Sequence, residues 1–80
     1  MLDGSSFKSA RRLLKRAQAH TKAKSRQFEA YAKMLDNRHY NMKSVTPKML
    51  KKRAQLMSEY DRAAMKEREA MRQLDSARYS

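Results

Sequence analysis

Lys8, Arg11, Arg12, Lys15, Arg16, Lys22, Lys24 and Arg26 fall in one stretch of chain that contains no acid. Read as a helix at about 100° per residue, Lys8, Arg11, Arg12, Lys15, Lys22, Arg26 and Lys33 project to one side. A row of cations over roughly 37 Å is what a phosphate backbone would meet, because each phosphate neutralised by Lys or Arg releases condensed counterions. An acidic protein surface offers the same complementarity, and a solvated helix face is the simplest alternative. Solvated faces usually mix signs. This one does not, so an anionic partner is expected.

A second basic cluster, Lys48, Lys51, Lys52 and Arg53, opens the later half of the chain. If the chain folds back on itself, these side chains approach Lys33 and Arg38 and extend the basic end. The run Lys51–Lys52–Arg53 could also read as a nuclear address, though a three-residue run carries little weight. Between the halves lie Arg38, His39 and Tyr40, flanked by Asn37 and Asn41. An aromatic beside a base at a loop tip is a common contact point, and Tyr40 could stack on an unpaired base. The simpler expectation is that Tyr40 folds back over the end of the hairpin. The binding surface read from the sequence is therefore Lys8, Arg11, Arg12, Lys15, Arg16, Lys22, Arg26, Lys33, Arg38, Tyr40, Lys48, Lys51 and Lys52, with no catalytic or metal-ligating residue among them.

Chemistry beyond charge finds little support. His20 and His39 have no metal partners at ligand spacing, and no cysteine is present. There is no glycine-rich phosphate loop, and the eight carboxylates are scattered. A helical hairpin offers no deep pocket. Neither catalysis nor a cofactor is expected.

Eighty residues make one domain at most, and one that is marginal alone. The net charge of +12 is enough self-repulsion to demand an anionic partner. No apolar run approaches membrane-spanning length. A basic helix could lie on an anionic membrane, but its opposite face lacks Trp and carries many Ala, so a membrane partner is not expected. No secretory segment follows Met1, and the chain is expected to be unprocessed and intracellular, in cytoplasm or a nucleoid-like body, or else in a virion. The acid-poor N-terminal half imitates a mitochondrial transit peptide, but its regular apolar stripe favours a folded helix.

That stripe defines the elements. One Gly, one Pro, one Val, two Thr and no Ile leave a sequence of helix formers, so the fold class is all-α. Phe7, Ala10, Leu14, Ala17, Thr21, Lys24, Phe28, Tyr31 and Leu35 share one face at coiled-coil spacing, with a polar middle at Thr21 and Lys24. If Phe28 is fully buried, Phe28→Ala should cost about 3–5 kcal/mol. Asp3, Gly4, Ser5 and Ser6 carry helix-start chemistry; with Asp3 as cap, Leu2 and Phe7 take the staple positions, and Ser5 or Ser6 is the alternative cap. The spacing predicts a helix over about 5–36, a connection over about 37–46 and a second helix over about 47–78. Thr46 caps the second helix, Pro47 takes its first position, and Val45 and Leu50 take the staple positions.

The second helix shows two adjacent apolar rows. Met49, Leu56, Ala63, Ala70 and Ala77 form one, and Leu50, Met57, Ala64 and Met71 the other, with Arg53, Tyr60, Glu67 and Leu74 interleaved. Met34, Met49, Met57 and Met71 are expected to fill the core. Lys66, Glu69, Arg72, Asp75 and Arg78 read as an i,i+3 charge ladder. Lys24, Arg53 and Glu67 within the stripe are expected to snorkel or to pair across a second chain.

Two helices of this length fold back as an antiparallel, coiled-coil-like hairpin. A workable register sets Phe28 near Met57, Thr21 near Ala64 and Leu14 near Met71. The apolar stripe of the second helix is wider than one partner needs, so a dimeric four-helix bundle or docking within a larger complex is expected. The function expected is a non-catalytic module that binds DNA or RNA phosphates without reading sequence, in a nucleoprotein or virion-like assembly. The alternative is an adaptor or inhibitor that lays its basic helix on an acidic protein surface.

Overall fold

The computed structural model describes residues 4–79. Two helices account for nearly all of them: α1, Gly4–Tyr40, and α2, Pro47–Tyr79. They pack on each other as an antiparallel hairpin, a rod 61 × 15 × 14 Å. Among the described residues there is no strand, and no helix is long and apolar enough to cross a membrane. The starting cap expected at Asp3 and the staple at Leu2 lie outside the described residues.

α2 begins where its sequence says. The Met49 N–H donates to Thr46 Oγ1 at 3.2 Å, and the Leu50 N–H donates to the Thr46 carbonyl at 3.1 Å. Thr46 is thus the N-cap and Pro47 the first helical residue, where a missing N–H removes nothing. Val45 is half-buried, while Leu50 stays 54% exposed.

α1 ends later than expected. Asn37, Arg38, His39 and Tyr40 are helical, which leaves residues 41–46 as the connection. The extra turn is favoured by Arg38, whose guanidinium sits in the last turn at the negative end of the helix dipole. The stop is a Schellman motif. The Met42 N–H donates to the His39 carbonyl at 3.1 Å, and the Lys43 N–H donates to the Arg38 carbonyl at 2.7 Å. Arg38 Nε then donates to the Ser44 carbonyl at 3.0 Å and ties the connection to the helix end.

The left-handed position of that motif, usually glycine, is held by Met42 at φ 59°. Its side chain is 94% exposed, so no packing compensates for the crowding of Cβ. Met42→Gly is expected to raise stability by about 0.5–1 kcal/mol, the relief of strain being partly offset by glycine's larger unfolded-state entropy. Urea unfolding checks this: an unchanged or lower midpoint would mean that Met42 is not strained.

The α1 face read from the sequence is the face that packs. Ala10, Leu14 and Leu35 are buried, and Phe7, Ala17, Thr21, Lys24, Phe28 and Tyr31 are half-buried. The core proper is Ala10, Leu14, Ala70 and Leu74, with Phe7, Ala17 and Ala77 against it, at the end of the rod away from the connection. At mid-rod Ala63 is 2% exposed, and Thr21 Oγ1 lies 2.9 Å from the Ala17 carbonyl and 3.1 Å from the Ala63 carbonyl. A hydroxyl has one proton, so it serves the two carbonyls as alternatives. Small residues let the helices approach this closely.

Four expectations are corrected. The register is shifted: Thr21 meets Ala63 rather than Ala64, and Leu14 shares its cluster with Ala70 and Leu74 rather than Met71. The seam of α2 is therefore the Met49–Leu56–Ala63–Ala70–Ala77 row with Tyr60, Glu67 and Leu74, and the Leu50–Met57–Ala64–Met71 row lies at its edge. Met34, Met57 and Met71 are correspondingly exposed rather than core, while Met49 is half-buried. Phe28 is half-buried, with the Arg53 guanidinium 5.2 Å from its ring centroid. Finally, the ladder from Lys66 to Arg78 forms no ion pair. Among the described residues Lys24–Glu59, at 2.9 Å, is the one pair within 4.0 Å. It bridges the polar middle of the seam within the chain, so Lys24 needs no second chain.

Candidate nucleic-acid interface

The cations of α1 divide by where the seam leaves them. Lys24 is drawn into the seam by Glu59 and half-buried. Lys8, Arg11, Arg12, Lys15, Arg16, Lys22, Arg26 and Lys33 are exposed. Arg11 rests its guanidinium 6.0 Å from the Phe7 ring centroid, a weak tether that leaves its N–H groups in solvent. None of these eight has a carboxylate within 4.0 Å among the described residues. Glu29, the nearest acid to the row along α1, accepts from Ser25 Oγ at 3.4 Å instead.

Helix geometry makes the cations a row. Lys8, Arg12, Lys15, Lys22, Arg26 and Lys33 are separated by steps of three, four or seven residues, so they recur on one side of α1. Packing against α2 keeps that side straight. Arg16 sits at its margin. Over its whole length α1 carries ten Lys and Arg against two acids, whereas five of the chain's eight acids lie between residues 59 and 75 of α2. The rail therefore keeps its field, while between residues 59 and 75 of α2 the exposed Asp61, Glu69 and Asp75 offset most of the charge of Arg62, Lys66, Arg68 and Arg72.

The second basic group collects at the connection. Lys48, Lys51 and Lys52 are exposed, and together with Tyr31, Thr46, Met49 and Gln55 they border one shallow hollow. Lys52 holds its ammonium 5.0 Å from the Tyr31 ring centroid, which fixes it on the α1 side of α2. Arg38 is half-buried, its Nε occupied by the Ser44 carbonyl, so it supports the tip more than it presents a free charge. Tyr40 does not fold back over the hairpin end; it is 86% exposed, on the last residue of α1.

Two tip residues escaped the sequence reading. Lys43 is exposed beside the cap and joins the basic group. Met42 projects from the left-handed position next to it. Neither carries a motif, and the absence of a glycine at the helix end hides the turn that places both. The surface thus has two parts on one rod: a straight cationic rail on α1, and a basic tip with an exposed tyrosine and methionine. No protein-family model, no curated protein and no solved structure matches this chain.

Proposed function

We propose that this chain is a non-catalytic module that binds the phosphate backbone of a nucleic acid without reading sequence, as one component of a nucleoprotein assembly. The observation that carries the reading is the α1 rail: a row of exposed cations with no carboxylate partner among the described residues. Like charges spaced this closely repel one another, and a repeating polyanion relieves that repulsion along the whole row at once.

An acidic protein surface is the second candidate. Protein interfaces are built around desolvated aromatic or aliphatic anchors with charge at the rim. Between the rail cations stand Gln18, Ala19, Ala23, Glu29 and Ala30, all exposed and none of them an apolar anchor. Charge without anchors favours backbone contact, which positions a duplex without specifying its bases. The exposed Tyr40 beside Lys43 suits stacking on an unpaired base at an end or loop.

The test is salt dependence. If about five phosphates are neutralised, the log–log slope on duplex DNA should be near −4.5, and affinity should fall by roughly 10² to 10³ between 50 and 200 mM salt. Duplexes of unrelated sequence should bind equally in the same anisotropy titration. Absence of binding to DNA and RNA at low salt would overturn the proposal and move the rail to an acidic protein surface.

A further inference from the structure

The two basic groups lie on opposite sides of the rod. Lys52 rests its ammonium 5.0 Å from the Tyr31 ring centroid, and Lys48, Lys51 and Lys52 border one hollow with Tyr31 and Gln55. Tyr31 stands nine residues from Lys22 and sixteen from Lys15. At about 100° per residue, Lys22 lies about 180° from Tyr31 around α1 and Lys15 about 160° from it. Lys22 and Arg26 border a groove on the other side of the seam, with Thr21, Tyr60 and Glu67.

The fold does not explain the tip group. Between residues 37 and 58 there are six Lys and Arg and no acid. Among the described residues no carboxylate lies within 4.0 Å of Lys48, Lys51 or Lys52. The first turn of α2 holds Lys48 and no acid, and a cation there opposes the helix dipole. The hairpin would be more stable with acids at this end.

We infer that Lys48, Lys51 and Lys52 form a second phosphate-backbone site, so that one chain bridges two nucleic-acid duplexes, one on the rail and one at the tip.

This rests on the reading of the rail as a phosphate site. Given that, stiffness requires a second duplex. The persistence length of DNA is about 50 nm, so a segment held along α1 does not turn round a rod 15 Å thick to reach the far side. Screening makes the two duplexes compatible. The Debye length at 0.1 M salt is about 10 Å, so phosphate rows separated by the 15 Å of the rod repel one another little. The rail carries more cations and loads first, and the tip then meets the second duplex.

Capture on beads tests the bridge. An immobilised blunt duplex is loaded with the full chain, and retention of a second, fluorescent duplex is measured at about 50 mM salt. Loading of chain is matched between variants, so that the rails are equally occupied. The parent should retain the second duplex. K48Q/K51Q/K52Q should retain it at least roughly tenfold less well, since each lost phosphate contact removes about a decade of affinity near 0.1 M salt. K66Q/R68Q/R72Q removes the same charge elsewhere on α2 and should capture as the parent does. All six residues are exposed, so helicity by circular dichroism should hold in both variants. A parent that loads on the beads but retains no second duplex overturns the bridge and leaves the rail reading standing. Failure to load at all overturns both. A tip variant that captures as well as the parent also overturns the bridge, because another copy's rail would then hold the second duplex. Equal losses in the two triple variants overturn it too, because net charge would then be the cause.

Discussion

Replacing Arg11, Arg12, Lys15 and Lys22 together by Gln is expected to lower affinity for duplex DNA by roughly three to four orders of magnitude at 0.1 M salt. The magnitude follows from counterion release: each phosphate contact contributes about 0.9 to the log–log slope, hence about one decade at 0.1 M. With four contacts gone, the salt slope should fall from near −4.5 to near −1. The loss should be the same on every duplex sequence, because backbone contacts carry no base information. Helicity should be unchanged. All four residues are exposed, Gln is a good helix former, and removing four like charges reduces repulsion along α1.

The matched control is Lys66 and Arg72 on α2, replaced by Gln. They are also exposed cations, but the exposed acids Asp61, Glu69 and Asp75 stand among them. The local potential there is near zero, and the expected loss is under about threefold per residue. If the two sets weaken binding equally, net charge alone drives the interaction and the rail has no geometric role. A nuclease-resistant complex with an acidic protein, abolished by the same four α1 substitutions, would move the rail to the adaptor reading.

Most of the hairpin could be read from spacing. The seven-residue steps through Phe7, Leu14, Thr21, Phe28 and Leu35 repeat the period at which one helix faces another, and every one of these residues is buried or half-buried. Thr46 before Pro47 marks the start of α2 through its own hydrogen-bonding chemistry. The exposed rail needed only charge and periodicity. The end of α1 was not legible, because the signal for it is a glycine and the residue in the left-handed position is Met42. The register was not legible either. The Ala63–Ala70 and Ala64–Met71 rows differ by one residue and offer similar volume at mid-rod, so apolar pattern alone cannot choose between them. Polar contacts choose. Lys24 meets Glu59, and the Thr21 hydroxyl reaches the Ala63 carbonyl. Those residues look like interruptions of the stripe until both helices are in place.

The same register shift decides which side chain holds the fold. Leu74→Ala is expected to destabilise the hairpin by about 2–4 kcal/mol, and Phe28→Ala by less, about 1–2 kcal/mol. On side-chain size alone the order should be the reverse, since Phe28 is the larger residue. In the structure Leu74 is buried in the core cluster with Ala10, Leu14 and Ala70. Phe7, Ala17 and Ala77 pack against that cluster, and the alanines cannot refill the space Leu74 leaves. Phe28 is half-buried under the Arg53 guanidinium, so truncation opens a site already reached by water and leaves a flexible, hydrated side chain behind. A domain of this size has only a few kcal/mol in reserve, so Leu74→Ala should leave much of the chain unfolded at 37 °C. Thermal unfolding followed by circular dichroism at 222 nm, at one fixed chain concentration because association would add to apparent stability, gives the ranking. If Phe28→Ala proves the more damaging, the core lies at mid-rod and the register drawn from Thr21, Lys24 and Leu74 is wrong.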